Sequence, residues 1–349
     1  MKIKKNTPYL IAEISANHCG KFEIAKRLIK CAKENGADAV KLQTYSPETM
    51  TLNSNKKMFK INEGIWKGYK LWDLYKKAQT PLNWHKQLFD YSKTIGIKIF
   101  STPFDETAVD FLEKLNCPFY KVASFEMTDL NLIKKIAKTK KPMIISTGTS
   151  SMKEIELTFK TAKKYGCKDI TLLYCVSNYP SDAKDFNLNN ILELKKKFRC
   201  RVGLSDHSND NRVSFSAVCL GAEVIEKHIG LEKQKKGLDI KFSIKGKEIL
   251  EFRKNIDLAK SVVQKKIFYR SKKEDSGKFY RRSIFTIKKI LKGEKFTNEN
   301  IRILRPYKGV PSFYYDKIIG KKSPVNISSS EPIKFSIIKK LKIRKILNG

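Results

Sequence analysis

Three of the four histidines in this chain, His18, His207 and His228, stand at or just past the ends of short aliphatic runs, among lysines and carboxylates. In an extended segment, alternation puts Ser205 on the face of His207 and Glu226 on the face of His228. Two neutral imidazoles brought together can hold a divalent cation, with water and substrate oxygens completing the shell. Such a set suits an octahedral ion of the Mn2+ or Mg2+ kind better than a closed tetrahedral zinc site. A single histidine is more often a hydrogen-bonded structural residue, so the metal reading rests on the pair. Lys41 and Lys121 end two other such runs, and an ammonium group shielded from water needs an anion or must lose its proton. An anionic substrate meets that need, with Ser124, Ser146, Ser177 and Asn178 donating to phosphate and carboxylate. The competing chemistry is a Schiff-base lysine, which pyruvate and borohydride would trap.

The segments that position these groups follow a regular plan. Short aliphatic runs alternate with amphipathic stretches of roughly 10 to 20 residues, as parallel βα units do. The expected strands are Tyr9 to Ser15, Ala39 to Thr44, Lys98 to Phe104, Phe119 to Ser124, Pro142 to Gly148, Ile170 to Ser177, Arg201 to His207 and Ala222 to Ile229. Helical spacing shows in Ile24, Ala25, Leu28, Ile29 and Ala32, and again in Ala108, Phe111, Leu112 and Leu115. A (β/α)8 TIM barrel is the economical topology, with an open doubly wound α/β sheet as the alternative. Every strand end is polar: Glu13 with Asn17 and His18; Lys41 and Gln43; Ser101, Thr102 and Asp105; Lys121, Ser124 and Glu126; Ser146 and Thr147; Ser177, Asn178 and Tyr179; Ser205, Asp206 and His207; Glu226 and His228. Strands buried on both faces should be apolar, so polar groups gathered at one end imply a site there. The longest connection, after the second strand, holds Trp66, Trp72 and Trp84.

Residues 1–266 are read as the barrel, 267–282 as a charged linker, 283–338 as a small β-rich domain and 339–349 as a basic tail. Short β-elements are expected at Ser283 to Ile287, Ile301 to Leu304 and Gly320 to Val325.

The net charge of +37, from 72 Lys and Arg against 35 Asp and Glu, points first to nucleic acid. Yet the lysines are spread over the expected helices, as at Lys134, Lys135, Lys138, Lys140 and Lys141, without a nucleic-acid-binding motif. A solvated lysine-rich surface accounts for them and leaves small anions, not nucleic acid, as partners. Seven cysteines without a Cys-x-x-Cys pair suit a reducing, cytoplasmic setting, and Cys31, Cys175 and Cys219 read as small buried hydrophobes. No uncharged apolar run reaches the ~18 residues of a membrane span, so no membrane partner is expected.

The strings Ala12-Glu13-Ile14-Ser15-Ala16-Asn17-His18-Cys19-Gly20, Lys41-Leu42-Gln43, Ser101-Thr102-Pro103-Phe104-Asp105, Lys121-Val122-Ala123-Ser124-Phe125-Glu126, Ser146-Thr147-Gly148, Gly203-Leu204-Ser205-Asp206-His207 and Ile225-Glu226-Lys227-His228 together resemble the sialic acid synthase family. The likeness runs from about residue 8 to about residue 335. Trp66-x-Gly68, Leu71-Trp72-Asp73-Leu74-Tyr75 and Ser177-Asn178-Tyr179-Pro180-Ser181 are most similar to the branch that makes pseudaminic acid. The resemblance implies a TIM barrel followed by an antifreeze-like (SAF, β-clip) domain and a homodimer in which that domain covers the partner's active site. It also implies a divalent metal (Mn2+, Mg2+ or Co2+) on His207 and His228, phosphoenolpyruvate as donor and an acetamido-sugar aldehyde as acceptor. That acceptor is a diacetamido-trideoxy-altrose, with mannosamine-type or bacillosamine-derived sugars as alternatives. By the same matching Glu13, Glu126 and Glu226 are catalytic carboxylates. Lys41, Gln43, Thr102, Lys121, Ser124, Ser146, Ser177, Asn178, Tyr179 and Asp239 bind substrate, and Arg305 reaches the partner's acceptor.

Overall fold

The computed structural model describes residues 7–263, 270–344 and 346. The chain divides into two compact units, Met1–Val263 and Gln264–Gly349.

In the first unit eight parallel strands close on themselves: β1 (Tyr9–Glu13), β2 (Ala39–Thr44), β3 (Lys98–Pro103), β4 (Tyr120–Val122), β5 (Met143–Ser146), β6 (Ile170–Cys175), β7 (Arg201–Asp206) and β8 (Val224–Gly230), with β1 pairing both β2 and β8. A two-residue strand, β9 (Ile244–Lys245), pairs in parallel with the end of β8. The expected TIM barrel is therefore formed, and the open sheet is excluded. The helices in order are α1 (Phe22–Glu34), α2 (Pro47–Met50), α3 (Leu71–Ala78), α4 (Leu82–Thr94), α5 (Glu106–Lys114), α6 (Leu130–Lys138), α7 (Met152–Lys164), α8 (Asn189–Phe198), α9 (Arg212–Cys219) and α10 (Glu248–Val262). Ala25, Leu28, Ile29 and Ala32 of α1 are buried, as the helical spacing requires. The helix starts are fixed locally. Ser151 and Glu154 form a capping box on α7, and Asp129 caps α6. Asp105, one of the polar strand-end groups, accepts from the Ala108 amide to cap α5, so it serves the fold. Between β2 and β3 the long connection carries α2, α3 and α4 in place of a single helix. Among the described residues no helix is long and apolar enough to cross a membrane.

The second unit pairs β10 (Ser283–Thr286) with β11 (Ile301–Leu304) antiparallel, around a core that includes Ile284, Ile290, Phe296, Ile301, Val310 and Ile333. The expected strand at Gly320 to Val325 is not formed; only a single bridge, Lys295 to Lys322, occurs there. Pro324 lacks the amide that a further ladder bond requires. Of the expected linker, residues 267–269 lie outside the described residues, as do 264–266 before it. Its remainder holds helical turns at Lys272–Asp275 and Ser276–Tyr280, the first capped by Ser271. The basic tail starts on a helix, Phe335–Lys340, whose Ile337 and Ile338 are buried, while Lys345 and 347–349 lie outside the described residues.

Strand β7 passes very close to β8. A Cβ at Gly203 would stand 2.1 Å from the Val224 carbonyl oxygen and 2.8 Å from Leu173 Cδ2, so only glycine fits there. Gly203→Ala is expected to cost roughly 1–3 kcal/mol by overpacking. Gly277→Ala, where nothing lies within 4 Å, should cost no more than about 0.5 kcal/mol. Equal unfolding midpoints for the two variants in calorimetry would remove this constraint on the barrel.

Candidate active site

The strand ends open on a cavity of about 360 Å³ whose lining includes Lys41, Gln43, Lys121, Ser124, Glu126, Ser146, Tyr179, Ser205, His207, Glu226, His228 and Asp239. Alternation explains the set. Lys41 and Gln43, Ser205 and His207, and Glu226 and His228 are pairs two residues apart that face inward together. The residues between them face out. Lys227 Nζ lies 2.9 Å from Asp206 Oδ2 and donates to the Ser208 carbonyl at 2.6 Å, while Asp206 also accepts from the Ser208 and Ser214 hydroxyls. That buried outward pair, like the Asp105 cap, shows that a polar strand end need not belong to the site.

The two histidines meet. Their ring centroids are 5.3 Å apart, edge to face, with Tyr179 packed 4.4 Å from His207 and Phe242 4.8 Å from His228. His207 Nδ1 lies 3.3 Å from the Val176 carbonyl oxygen. His228 Nδ1 is buried without a hydrogen bond, 3.8 Å from Asp239 Oδ2. Burial, reinforced by His207, holds the His228 imidazole well below its ordinary range and so neutral. An orphaned, buried, neutral ring nitrogen beside a second imidazole and a carboxylate fits a divalent cation. Among the described residues no cluster of three or more His, Cys, Asp or Glu side chains is arranged to hold a metal, so a cation on the two imidazoles would need other oxygens to complete its shell. His18 does not join them. It is buried against Trp84 at 5.5 Å and accepts from the Gly20 amide, and burial pushes it down to about 4.

The lysines divide the work. Lys41 Nζ lies 2.9 Å from Glu13 Oε2 and 3.1 Å from Glu226 Oε1, so its charge is matched within the protein. Lys121 has no carboxylate partner in an ion pair among the described residues; its ammonium donates to its neighbour's carbonyl, Val122 O, at 2.8 Å. Burial pushes Lys121 down to about 8 against the pull of Glu226. Hydroxyls line the same cavity. Ser146 Oγ is buried without a partner, and Ser124 Oγ accepts from the Gly148 amide at 3.2 Å. A Cβ at Gly148 would lie 2.1 Å from Ser177 Oγ and 2.8 Å from Ser124 Oγ, so glycine leaves room for both hydroxyls.

Five expected site residues do not line the cavity. Glu13 is fully buried beneath Lys41 and does not line the cavity. Thr102 is buried in β3 outside the lining, Ser177 reaches only Cys175 at 3.6 Å, and Asn178 is exposed. Arg305 is an exposed residue of the second unit. Other residues line the cavity without having been expected there: Tyr45, Trp66, Tyr75, Phe242 and Cys175. Cys175 lies 3.7 Å from His207 Nδ1; burial raises its thiol, but His207 outweighs this and leaves it below its ordinary range. It is thus a site residue and not filler, whereas Cys219 is exposed and Cys31 half-buried.

Glu13 and Glu226 compete for one ammonium. Burial opposes ionisation of both. Lys121, Lys41 and the Ser205 hydroxyl, 2.9 Å away, hold Glu226 down at about 2, while Glu13 is pushed up to about 7. Lys41→Met strands two buried acids and is expected to cost roughly 3–5 kcal/mol. Adding Glu13→Gln should restore part of that loss, read by urea unfolding; a double variant no more stable than Lys41→Met alone would refute the shared-charge account.

The NeuB family model matches residues 28–267 and the SAF domain model residues 281–338. The chain is 41% identical over 329 residues to the pseudaminic acid synthase of Campylobacter jejuni subsp. jejuni serotype O:2, covering 93% of this chain and 95% of the relative. It is also 41% identical over 329 residues to the pseudaminic acid synthase of Helicobacter pylori, covering 93% and 96%. Among solved structures it is similar to N-acetylneuraminic acid (sialic acid) synthetase from Leptospira borgpetersenii serovar Hardjo-bovis, with a TM-score of 0.72, 30% identity, and 80% and 94% of the two chains covered. A closed parallel barrel, a mouth carrying paired imidazoles and a lysine without an ion-pair partner, and a SAF domain following it in the sequence agree with these matches: the chain belongs to the NeuB family.

Proposed function

We propose that the chain condenses phosphoenolpyruvate with 2,4-diacetamido-2,4,6-trideoxy-L-altrose and water, giving pseudaminic acid and inorganic phosphate. The observation that carries this reading is Lys121, a buried cation with no ion-pair partner among the described residues, in the same cavity as the Ser124 and Ser146 hydroxyls and two facing imidazoles. The identity to pseudaminic acid synthases supports the choice of acceptor.

Lys121, Ser124 and Ser146 bind the phosphate and carboxylate of the donor. His207 and His228 would hold a divalent cation such as Mn2+, Mg2+ or Co2+, which when bound acts as a Lewis acid on the acceptor's aldehyde oxygen. Tyr179 and Phe242 pack on the two rings and fix their orientation. Attack by the enol carbon of phosphoenolpyruvate on the aldehyde carbon leaves positive charge at the former enol carbon. Glu226, held ionised on the cavity wall, stabilises that charge. Glu126 lines the same cavity and burial raises it to about 7, which suits a group that takes a proton from the water that adds there. Phosphate then leaves as its bond to carbon breaks. Glu13 acts through Lys41 as a positioning residue. The working enzyme is a cytoplasmic homodimer, in which Arg305 of each protomer reaches the acceptor in its partner's cavity.

Phosphate release should need phosphoenolpyruvate, the diacetamido altrose and a divalent metal together, and should fall with N-acetylmannosamine as acceptor. No phosphate from the complete mixture would sink the proposal. Pyruvate with borohydride should leave the protein unmodified. Lys121→Met is expected to weaken donor binding by about 2 kcal/mol or more, about 30-fold in KM, since it removes one partner of a buried charged contact. An unchanged KM would move the donor away from Lys121.

A further inference from the structure

Part of the cavity lining takes no part in the chemistry proposed above. Met50, Ile61, Leu71 and Leu74 from the long connection after β2, with Phe104 just past β3, make an aliphatic and aromatic wall there. Apolar surface kept open to water at the mouth of a barrel is costly unless something apolar covers it.

Tilted ring contacts run from the imidazoles to Trp66, which lines the same cavity as the wall. Tyr179 packs on His207 at 4.4 Å, and Trp66 packs on Tyr179 at 5.5 Å. Trp66 Nε1 donates to the Leu238 carbonyl at 3.2 Å, which fixes the indole. On the other side Tyr45 stands edge-on to Phe104 at 5.1 Å and to Tyr75 at 5.9 Å. The wall therefore lines the same cavity as the reacting groups, among rings held in place by their neighbours.

In an open-chain acceptor the aldehyde is carbon one, and it must lie at the polar end with the donor. Carbon six is the opposite terminus, and the acetamido groups at carbons two and four leave the chain between the two. We infer that the wall formed by Met50, Ile61, Leu71, Leu74 and Phe104 is a subsite for the terminal methyl of a 6-deoxy acceptor and selects it over sugars hydroxylated at that carbon. A methyl group leaves water at no cost against such a surface, whereas a hydroxyl loses hydrogen bonds to water. The inference rests on the synthase reading and names what sets its acceptor preference.

The test compares phosphate release by the full chain, with phosphoenolpyruvate and a divalent metal, for 2,4-diacetamido-2,4,6-trideoxy-L-altrose and for the same sugar bearing a 6-hydroxyl. The expected kcat/KM ratio favours the 6-deoxy sugar by about 10- to 100-fold, the range an apolar pocket gives against an added hydroxyl. Met50→Gln and Ile61→Thr should narrow the ratio to within about threefold by raising KM for the 6-deoxy sugar. An unaltered KM for phosphoenolpyruvate shows that each variant is folded. Equal kcat/KM for the two sugars in the unsubstituted chain overturns the wall's role alone, as does a ratio that persists in both variants. Release with neither sugar overturns the synthase reading and the wall with it.

Discussion

A single ammonium group, that of Lys41, sits between Glu13 and Glu226 with water excluded, and the closing seam of the barrel is arranged around it. Glu13 on β1 is in register with Lys41 on β2 and with His228 on β8, so one row of residues crosses the seam and reaches the imidazole end. Charges so placed attract strongly because little solvent screens them, yet stripping them of water costs about as much as the attraction returns. The gain is in geometry. With Lys41 satisfied inside the protein, Lys121 is left as the cation that an incoming anion can match.

The same strand ends build a second layer facing outward. Asp206 and Lys227 lie between the inward pairs Ser205 and His207, and Glu226 and His228, and their ion pair joins the ends of β7 and β8 where the histidines must stay together. Asp206 also accepts from Ser214 on α9, which anchors the helix that follows the strand. Two imidazoles on neighbouring strands converge only if those strands hold their register, and a buried outward pair resists slippage without entering the cavity.

Much of this was legible from spacing. Alternation alone placed Ser205 with His207 and Glu226 with His228, and helical periodicity found the buried face of α1. What alternation cannot supply is depth. Glu13 and Glu226 share Lys41, but Glu13 is fully buried while Glu226 lines the cavity, and only the closed barrel shows which of the two is open. Thr102 fails for the same reason. Cys175 was within reach of the rule, since it ends an inward-facing row on β6, but a small sulfur side chain in an apolar run reads as filler until His207 is seen beside it. The wall from the long connection was not legible at all, because apolar residues in an insertion mark a surface to be covered without saying which surface.

The charge of the whole chain and the charge of the site act by different physics. Surface lysines in a chain of net charge +37 are screened over about 8 Å at physiological ionic strength. A buried ammonium is not, so Lys121 outweighs many of them for an anion that has reached the cavity. Such an anion must also escape repulsion by the carboxylates there. Burial raises Glu126 to about 7 and Glu13 likewise, so both are partly protonated near neutrality. Glu226 is held ionised by Lys121, Lys41 and the Ser205 hydroxyl. The ionised carboxylate on the cavity wall is thus compensated from within the protein, and the cavity stays open to a negatively charged substrate.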